Sequence, residues 1–490
     1  MSTTALSIRS PAKRATRRAF RVTSAALMLA AVSPATHAAS PGQAPQATQG
    51  VTTASAAARL QVPPATRTEF SGLPDGKRLK ILVALIRDNQ PDAAEQLLRA
   101  APFDGEFGRN RNLFITGMIE RARGNLAHAA EIYRTVLAND PNLTMVRLEL
   151  AATLHALDQT DGARHHLELL KGAAPTPELA RNFGDYLAAI DANRPWSFNA
   201  WLSLAPSTNF NNGTALEYHT LFGLTGTIGE LSRKKSGIGI KGGANAAYVF
   251  ELGNKLQAIV ATGTYVEQYE GDLFDRTALN QNVELRRNHA RGSVGIGLSA
   301  SQSFYKTNGS GGRPFTNESA WSFGPQITIR HLLTNALNLE TRLSHRWNVF
   351  NVASFSDGTS TSLTNRLALT MSTSQVLYAM AGADRTKTGY DHTSTWAGWG
   401  GLGIYQEVPF GVTVYGEAKL RYSVSDGEYP FLFAPRENTR LDGRVVLTKR
   451  DFSFYGLAPQ LEYTYTKNWS NDDLSEFDSH GLAVTVTRAF

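Results

Sequence analysis

The chain has 490 residues, room for several domains. Its 49 Lys and Arg against 42 Asp and Glu give a formal charge of +7, but residues 1–38 hold Arg9, Lys13, Arg14, Arg17, Arg18 and Arg21 and no acid. The remainder is nearly neutral, so a chain-wide electrostatic case for nucleic acid is excluded. Cysteine is absent, which excludes disulfides, thiolate metal sites, a cysteine nucleophile and a lipid-modified N-terminal cysteine.

The basic N-terminal stretch runs into an apolar segment, Val22 to Val32, and then into the small-residue run Ala35-Thr36-His37-Ala38-Ala39. That order reads as a secretory signal peptide over 1–38, cut near Ala38. The apolar segment is too short to span a bilayer as a helix. Residues 39–74, rich in Ala, Thr, Gln and Pro, read as a flexible leader.

From residue 75 the apolar period becomes helical, with Leu79, Leu82, Val83 and Ile86 at steps of three and four. A spacing of 34 residues then relates Ala129 to Ala163, Pro141 to Pro175, Gly117 to Ala151 and Tyr133 to Leu167. Small residues where paired helices touch, with a closing proline, make a tetratricopeptide-like pattern over 75–194. Two repeats are clear, 75–100 is a degenerate third, and Pro177–Ile190 reads as a capping helix. Such stacks present a concave face from the first helix of each pair. Here that face comprises Arg111, Phe114, Met118 and Arg121, then Met145, Leu148 and His155, as a groove for client polypeptide. Phe114 and Leu148 serve equally well as packing residues. His165-His166 reads as a solvated face, since adjacent helix positions do not face one another.

At Pro195-Trp196 the period changes from 3.6 to 2. Val412, Val414, Ala418, Leu420, Tyr422 and Val424 share one strand face; Thr413, Tyr415, Glu417, Lys419, Arg421 and Ser423 share the other. An unbroken apolar row opposite charge suits lipid outside and a watery lumen inside. The alternation predicts fourteen antiparallel strands near 196–206, 235–249, 255–269, 277–288, 290–304, 317–332, 337–350, 361–372, 374–386, 393–407, 409–425, 433–449, 453–467 and 476–490. Residues 217–229 are a possible extra strand. Connections alternate between short turns (Glu251–Asn254, Thr334–Ala336, Thr373, Val408) and long loops (Ser207–Lys234, Lys306–Thr316, Asn351–Ser360, Asn468–Ser475), as in an outer-membrane barrel over 195–490.

Arg330, Glu340, Arg342, Arg346, Arg366, Glu417, Lys419 and Arg421 are expected to line the lumen, and Glu462 with them, as a charge ladder rather than an acid/base pair. Phe490, with Leu482, Val484 and Val486 on its parity, resembles the insertion signal read by the barrel-assembly machinery. No nucleophile triad, phosphate loop or metal spacing has supporting context, so neither an enzyme nor a cofactor is expected.

The order of parts resembles the surface lipoprotein assembly modulator (Slam) family over about 75–490. The resemblance is carried by Val146-Arg147-Leu148-Glu149-Leu150-Ala151, Pro175, Tyr186-Leu187 and Ile190, then by Ser207-Thr208-Asn209-Phe210-Asn211 after the first strand. Gly324-Pro325, Pro459 with Leu461, Tyr463 and Tyr465, and Ser470-Asn471 complete it. It implies a type XI secretion translocator of the Gram-negative outer membrane, whose repeats face the periplasm. Such a protein moves client surface lipoproteins or soluble secreted proteins to the cell surface. Expected partners are therefore the client, the assembly machinery and outer-membrane lipid, with the protein a monomer. Two other readings are a polysaccharide-export porin on a repeat scaffold and a simple porin. The few repeats and the Arg- and Lys-rich lumen rows weigh against the first of these, and the repeat domain against the second.

Overall fold

The computed structural model describes residues 63–490 except 194, 271–273, 308–315, 352, 431, 451, 453–456 and 489–490. The expected signal peptide, most of the leader and Phe490 lie outside the described residues.

Helices come first: α1 (Pro64–Ser71), α2 (Asp75–Arg87), α3 (Pro91–Ala100), α4 (Gly105–Ala122), α5 (Leu126–Asn139), α6 (Thr144–Ala156), α7 (Thr160–Gly172) and α8 (Pro177–Asn193). The 34-residue spacing is the step from α4 to α6 and from α5 to α7. Its small residues are the helix contacts: Ala129, Ala151 and Ala163 are fully buried. Gly117 faces the Tyr133 ring so closely that a Cβ there would lie 2.6 Å from it. One apolar cluster gathers Tyr133, Leu150, Leu154, Leu167, Leu170 and Ile190. A second gathers Phe70, Leu82, Leu97, Phe103, Ile115 and Ile119. The helical region therefore begins at Pro64 rather than at 75. Pro64 is suited to a first helical turn, and Phe70 is the apolar side chain that holds α1 down, inside an otherwise polar stretch. At the other end α8 runs past the expected end of the capping helix at Ile190, through Asp191 to Asn193.

The strands are β1 (Trp196–Ser207), β2 (Tyr218–Leu221), β3 (Leu224–Thr227), β4 (Gly237–Gly253), β5 (Leu256–Tyr269), β6 (Arg276–His289), β7 (Gly292–Thr307) and β8 (Thr316–Leu332). They continue with β9 (Leu337–Phe350), β10 (Gly358–Ser372), β11 (Gln375–Thr388), β12 (Thr395–Val408), β13 (Val412–Glu428), β14 (Pro435–Lys449), β15 (Leu457–Ser470) and β16 (Phe477–Arg488). All but β2 and β3 form one closed fourteen-stranded antiparallel barrel, each strand beside its neighbour in sequence and β1 beside β16. The stretch 217–229 is not a fifteenth wall strand: β2 and β3 pair only with each other, as a hairpin within the loop from β1 to β4.

Closure of the barrel is uneven. The register joins β1 to β4 from Trp196 opposite Tyr248 to Ser207 opposite Gly237. It joins β1 to β16 at Ser203–Thr485, Leu204–Val484 and Ser207–Gly481. Near the long loops side chains reinforce that seam. Asn209 bonds the Asp478 carbonyl at 2.9 Å, and the Thr208 hydroxyl accepts from the His480 amide at 2.9 Å.

The two rims differ. On one, β4 turns into β5 through Asn254 and Lys255, both at positive φ as a tight hairpin twist requires, and β10 turns into β11 through Thr373 and Ser374. The opposite rim carries the longer connections, including 208–236. Apolar side chains such as Leu202, Leu298, Leu402 and Leu420 stand exposed on the outer wall. An apolar exterior on a sheet with no free edge meets the two conditions of a lipid-embedded barrel.

Candidate functional site: the joint between helices and barrel

Five polar side chains meet where the helical region touches the short-turn rim. Glu407, next to last in β12, is fully buried and faces Arg147 of α6, also fully buried, in a two-pronged ion pair of 2.8 and 3.1 Å. Arg450, just past β14, donates to the same carboxylate. The Tyr405 hydroxyl donates to it at 2.8 Å. That hydroxyl is 2.9 Å from Nε2 of His165 in α7. Its own proton is committed to Glu407, so it accepts from His165.

Arg147 is held on its own side as well. It donates to the Pro141 carbonyl at 2.6 Å and lies 3.0 Å from Nδ1 of His166. An arginine only donates, so His166 Nδ1 accepts and the imidazole is neutral. Burial lowers its pKa well below the usual histidine value, and the Arg147 cation pushes the same way. Around this hub the Ser374 hydroxyl bonds the Asn142 carboxamide oxygen at 2.8 Å, and the Phe410 amide donates to the Ala138 carbonyl at 2.7 Å. A Cβ on Gly172 would strike Thr370, so α7 lies against the end of β10.

The adjacent histidines are therefore not a solvated face. His166 is buried on Arg147, and His165 points to the barrel. Helix periodicity put both outside because His165 finds its partner in a distant strand and His166 finds a buried arginine on the neighbouring helix. The same distance hid Glu407 and Arg450. Arg147 was visible only as part of the Val146–Ala151 motif. A charged residue set between apolar neighbours at a helix-contact position was its one local signal.

The seven groove candidates divide. Arg121 of α4 forms an ion pair with Glu149 of α6. His155 meets Tyr186 of α8 edge-on, ring centroids 6.0 Å apart. Burial raises the Tyr186 pKa, with Arg121 opposing and Glu149 assisting. These groups thus sit within electrostatic reach of one another across three helices. Phe114 and Met118 pack against both apolar clusters, and Leu148 against the first. Arg111 instead turns to Asp75 of α2, at 2.8 Å, and Met145 stands 56% exposed on the first turn of α6. Glu149 and Tyr186 were not among the sequence candidates for this face.

The lumen candidates lie on the strand parity opposite the exposed apolar rows, such as Leu343 and Trp347 in β9 and Leu420 and Tyr422 in β13. Glu340 is held by Arg330 at 2.9 Å and Arg342 at 3.4 Å. Arg421 pairs with Asp384, and Glu417 accepts from Tyr415. Arg366 lies over the Tyr378 ring at 4.3 Å and Lys419 over Trp399 at 5.5 Å. Arg346 keeps a buried Nε without a partner among the described residues. Glu462 pairs with Arg444 at 2.8 Å. Leu482, Val484 and Val486 face outward.

The sequence model of the surface lipoprotein assembly modifier family matches residues 196–490, the barrel from its first strand onward. Surface lipoprotein assembly modifier 1 of Haemophilus influenzae is 20% identical over 466 residues, covering 91% of this chain and 90% of that protein. Surface lipoprotein assembly modifier 1 of Neisseria meningitidis serogroup B is 23% identical over 400 residues, covering 77% and 75%. Among solved structures, the P. putida toluene transporter TodX matches with a TM-score of 0.34 and 12% identity, covering 62% of this chain and 92% of that one. With the match spanning the whole barrel and the relatives reaching into the helices, this chain belongs to the surface lipoprotein assembly modifier family.

Proposed function

We propose that the protein moves client proteins, surface lipoproteins or soluble secreted proteins, from the periplasm to the cell surface. The helical repeats face the periplasm and capture the client, and the barrel passes or displays it. The observation that carries this reading is the joint on Glu407. It sets helices α4, α6 and α8, which bring together Arg121, Glu149, His155 and Tyr186, in one domain against the rim of short turns. In outer-membrane barrels that rim is the periplasmic one. A client held there has a high effective concentration at the barrel mouth. The ion pairs of the wall supply a wetted, charged lining rather than a reactive centre, in keeping with a family of surface lipoprotein assembly modifiers.

The test is surface labelling of a surface lipoprotein or secreted protein whose display depends on this chain, in cells with matched barrel levels. Removing residues 64–193 is expected to abolish client display. Arg121→Ala with His155→Ala is expected to lower it several-fold. Unchanged display after the deletion would overturn capture by the repeats, and unchanged display after the two substitutions would overturn only the residue assignment.

A further inference from the structure

We propose that the joint on Glu407 is a reversible latch, by which the helical domain docks on the short-turn rim and pivots off it during transport. The proposal rests on the transport function above. Three observations point to it.

The first is the chemistry of the contact. Beside the packing of Gly172 on Thr370, four polar contacts cross from helices to barrel: Arg147 to Glu407, His165 to Tyr405, Asn142 to Ser374, and the Ala138 carbonyl to the Phe410 amide. Polar interfaces between domains behave as transient ones. A buried ion pair also opens more easily than its bonds suggest, because both charges regain water on separation. Removing one partner alone is what strands a charge.

The second is that each half keeps its own partners. When the domain leaves, Glu407 retains Arg450 and Tyr405 on the barrel side. Arg147 retains the Pro141 carbonyl and His166 on the helical side. The hub thus comes apart into two satisfied halves.

The third is what docking leaves unmet. Nε of Arg147, Nε of Arg450 and Nε2 of His166 are buried without a partner among the described residues. Opening hydrates all three, which offsets part of the lost bonding. The chain passes from Asn193 of α8 to Trp196 of β1, so release is a pivot at the rim rather than a departure.

The absence of native cysteine gives a clean test. Cysteines at Asn142 and Ser374, whose side chains touch, should cross-link under oxidation and lock the latch. The locked protein should display at least tenfold less client than the same cells after a reductant, with each single-cysteine protein unaffected. Equal display from locked and reduced protein would overturn the proposal, because the joint would then be permanent. Failure to cross-link would overturn it too, since the docked contact would be absent.

A second arm needs no client. In purified full-length protein, Ser374→Cys, nearly buried at 2% exposure, should react slowly with a maleimide. Adding Glu407→Gln should raise the rate at least tenfold. An unchanged rate would overturn Glu407 as the latch. Acceleration without client display from any version would keep the latch and remove the transport reading instead.

Discussion

Single side chains set the limits within which this molecule works. Gly117 is fixed by the Tyr133 ring, itself fully buried and unable to yield. Gly117→Ala should cost the helical region about 1–3 kcal/mol by overpacking. It should lower the melting of the 222 nm helical signal in detergent-solubilised protein and leave barrel closure unchanged. His166 carries a pH consequence. It is neutral when folded because burial, then Arg147, depresses its pKa; His165, Glu407 and Arg450 also act on it. The unfolded chain binds a proton near pH 6.5 that the folded one refuses. Its contribution is therefore flat above that pH and is lost below it, by up to about 1.4 kcal/mol per pH unit. Melting the same helical signal at pH 7.5 and 5.5 should show the loss, and His166→Gln should shrink it. A larger loss in the variant would contradict this assignment. Neither residue's role was fully legible beforehand. Gly117 announced a helix contact by its 34-residue partner, Ala151, whereas His166 gave no sign of Arg147.

At the scale of elements the sequence was most readable where one physical rule governs every residue. A wall strand must alternate, because lipid lies on one side and water on the other, and the fourteen wall strands emerge close to where alternation put them. Boundaries moved where turns, not faces, decide them. β14 begins at Pro435 rather than 433, and β4 runs on to Gly253, where Asn254 and Lys255 supply the left-handed turn. The hairpin of β2 and β3 was ambiguous because it alternates like a wall strand yet buries neither face. Orientation is testable on this map. With single cysteines on intact cells, Ser354→Cys in the connection from β9 to β10 should react with an impermeant maleimide. Asn335→Cys, in the turn from β8 to β9, should react only after the outer membrane is breached. The reverse result would invert the barrel.

The whole molecule joins two folds whose helices and strands bond within their own part, with the Phe410 amide on the Ala138 carbonyl as a backbone bond between them. Deleting 64–193 should thus leave a closed, heat-modifiable barrel, with Glu407 still held by Arg450 and Tyr405. A gel showing only the unfolded band would contradict that independence. Arg147→Met, by contrast, takes from the docked joint one of the two cations on Glu407 and leaves Arg450. It should weaken docking, read as faster protease cleavage between α8 and β1. The joint was the least legible part of the protein. Its members come from residues 138–172 and 370–450, and neither periodicity nor spacing links positions so far apart.

The seam between β1 and β16 also bears on how the barrel is made. Every other wall pairing joins strands adjacent in the chain, apart from β1 with β4 across one loop. Ser203 and Thr485 meet across 282 residues of sequence. Closing a free loop of that length costs on the order of 5 kcal/mol in chain entropy, before any constant term. Hairpins with two-residue turns avoid almost all of it. The sheet is therefore expected to grow by successive local hairpins, with the two ends brought together last. The helical domain precedes β1 in the chain, so it is expected to fold beside the free edge of β1 while that edge waits for its partner.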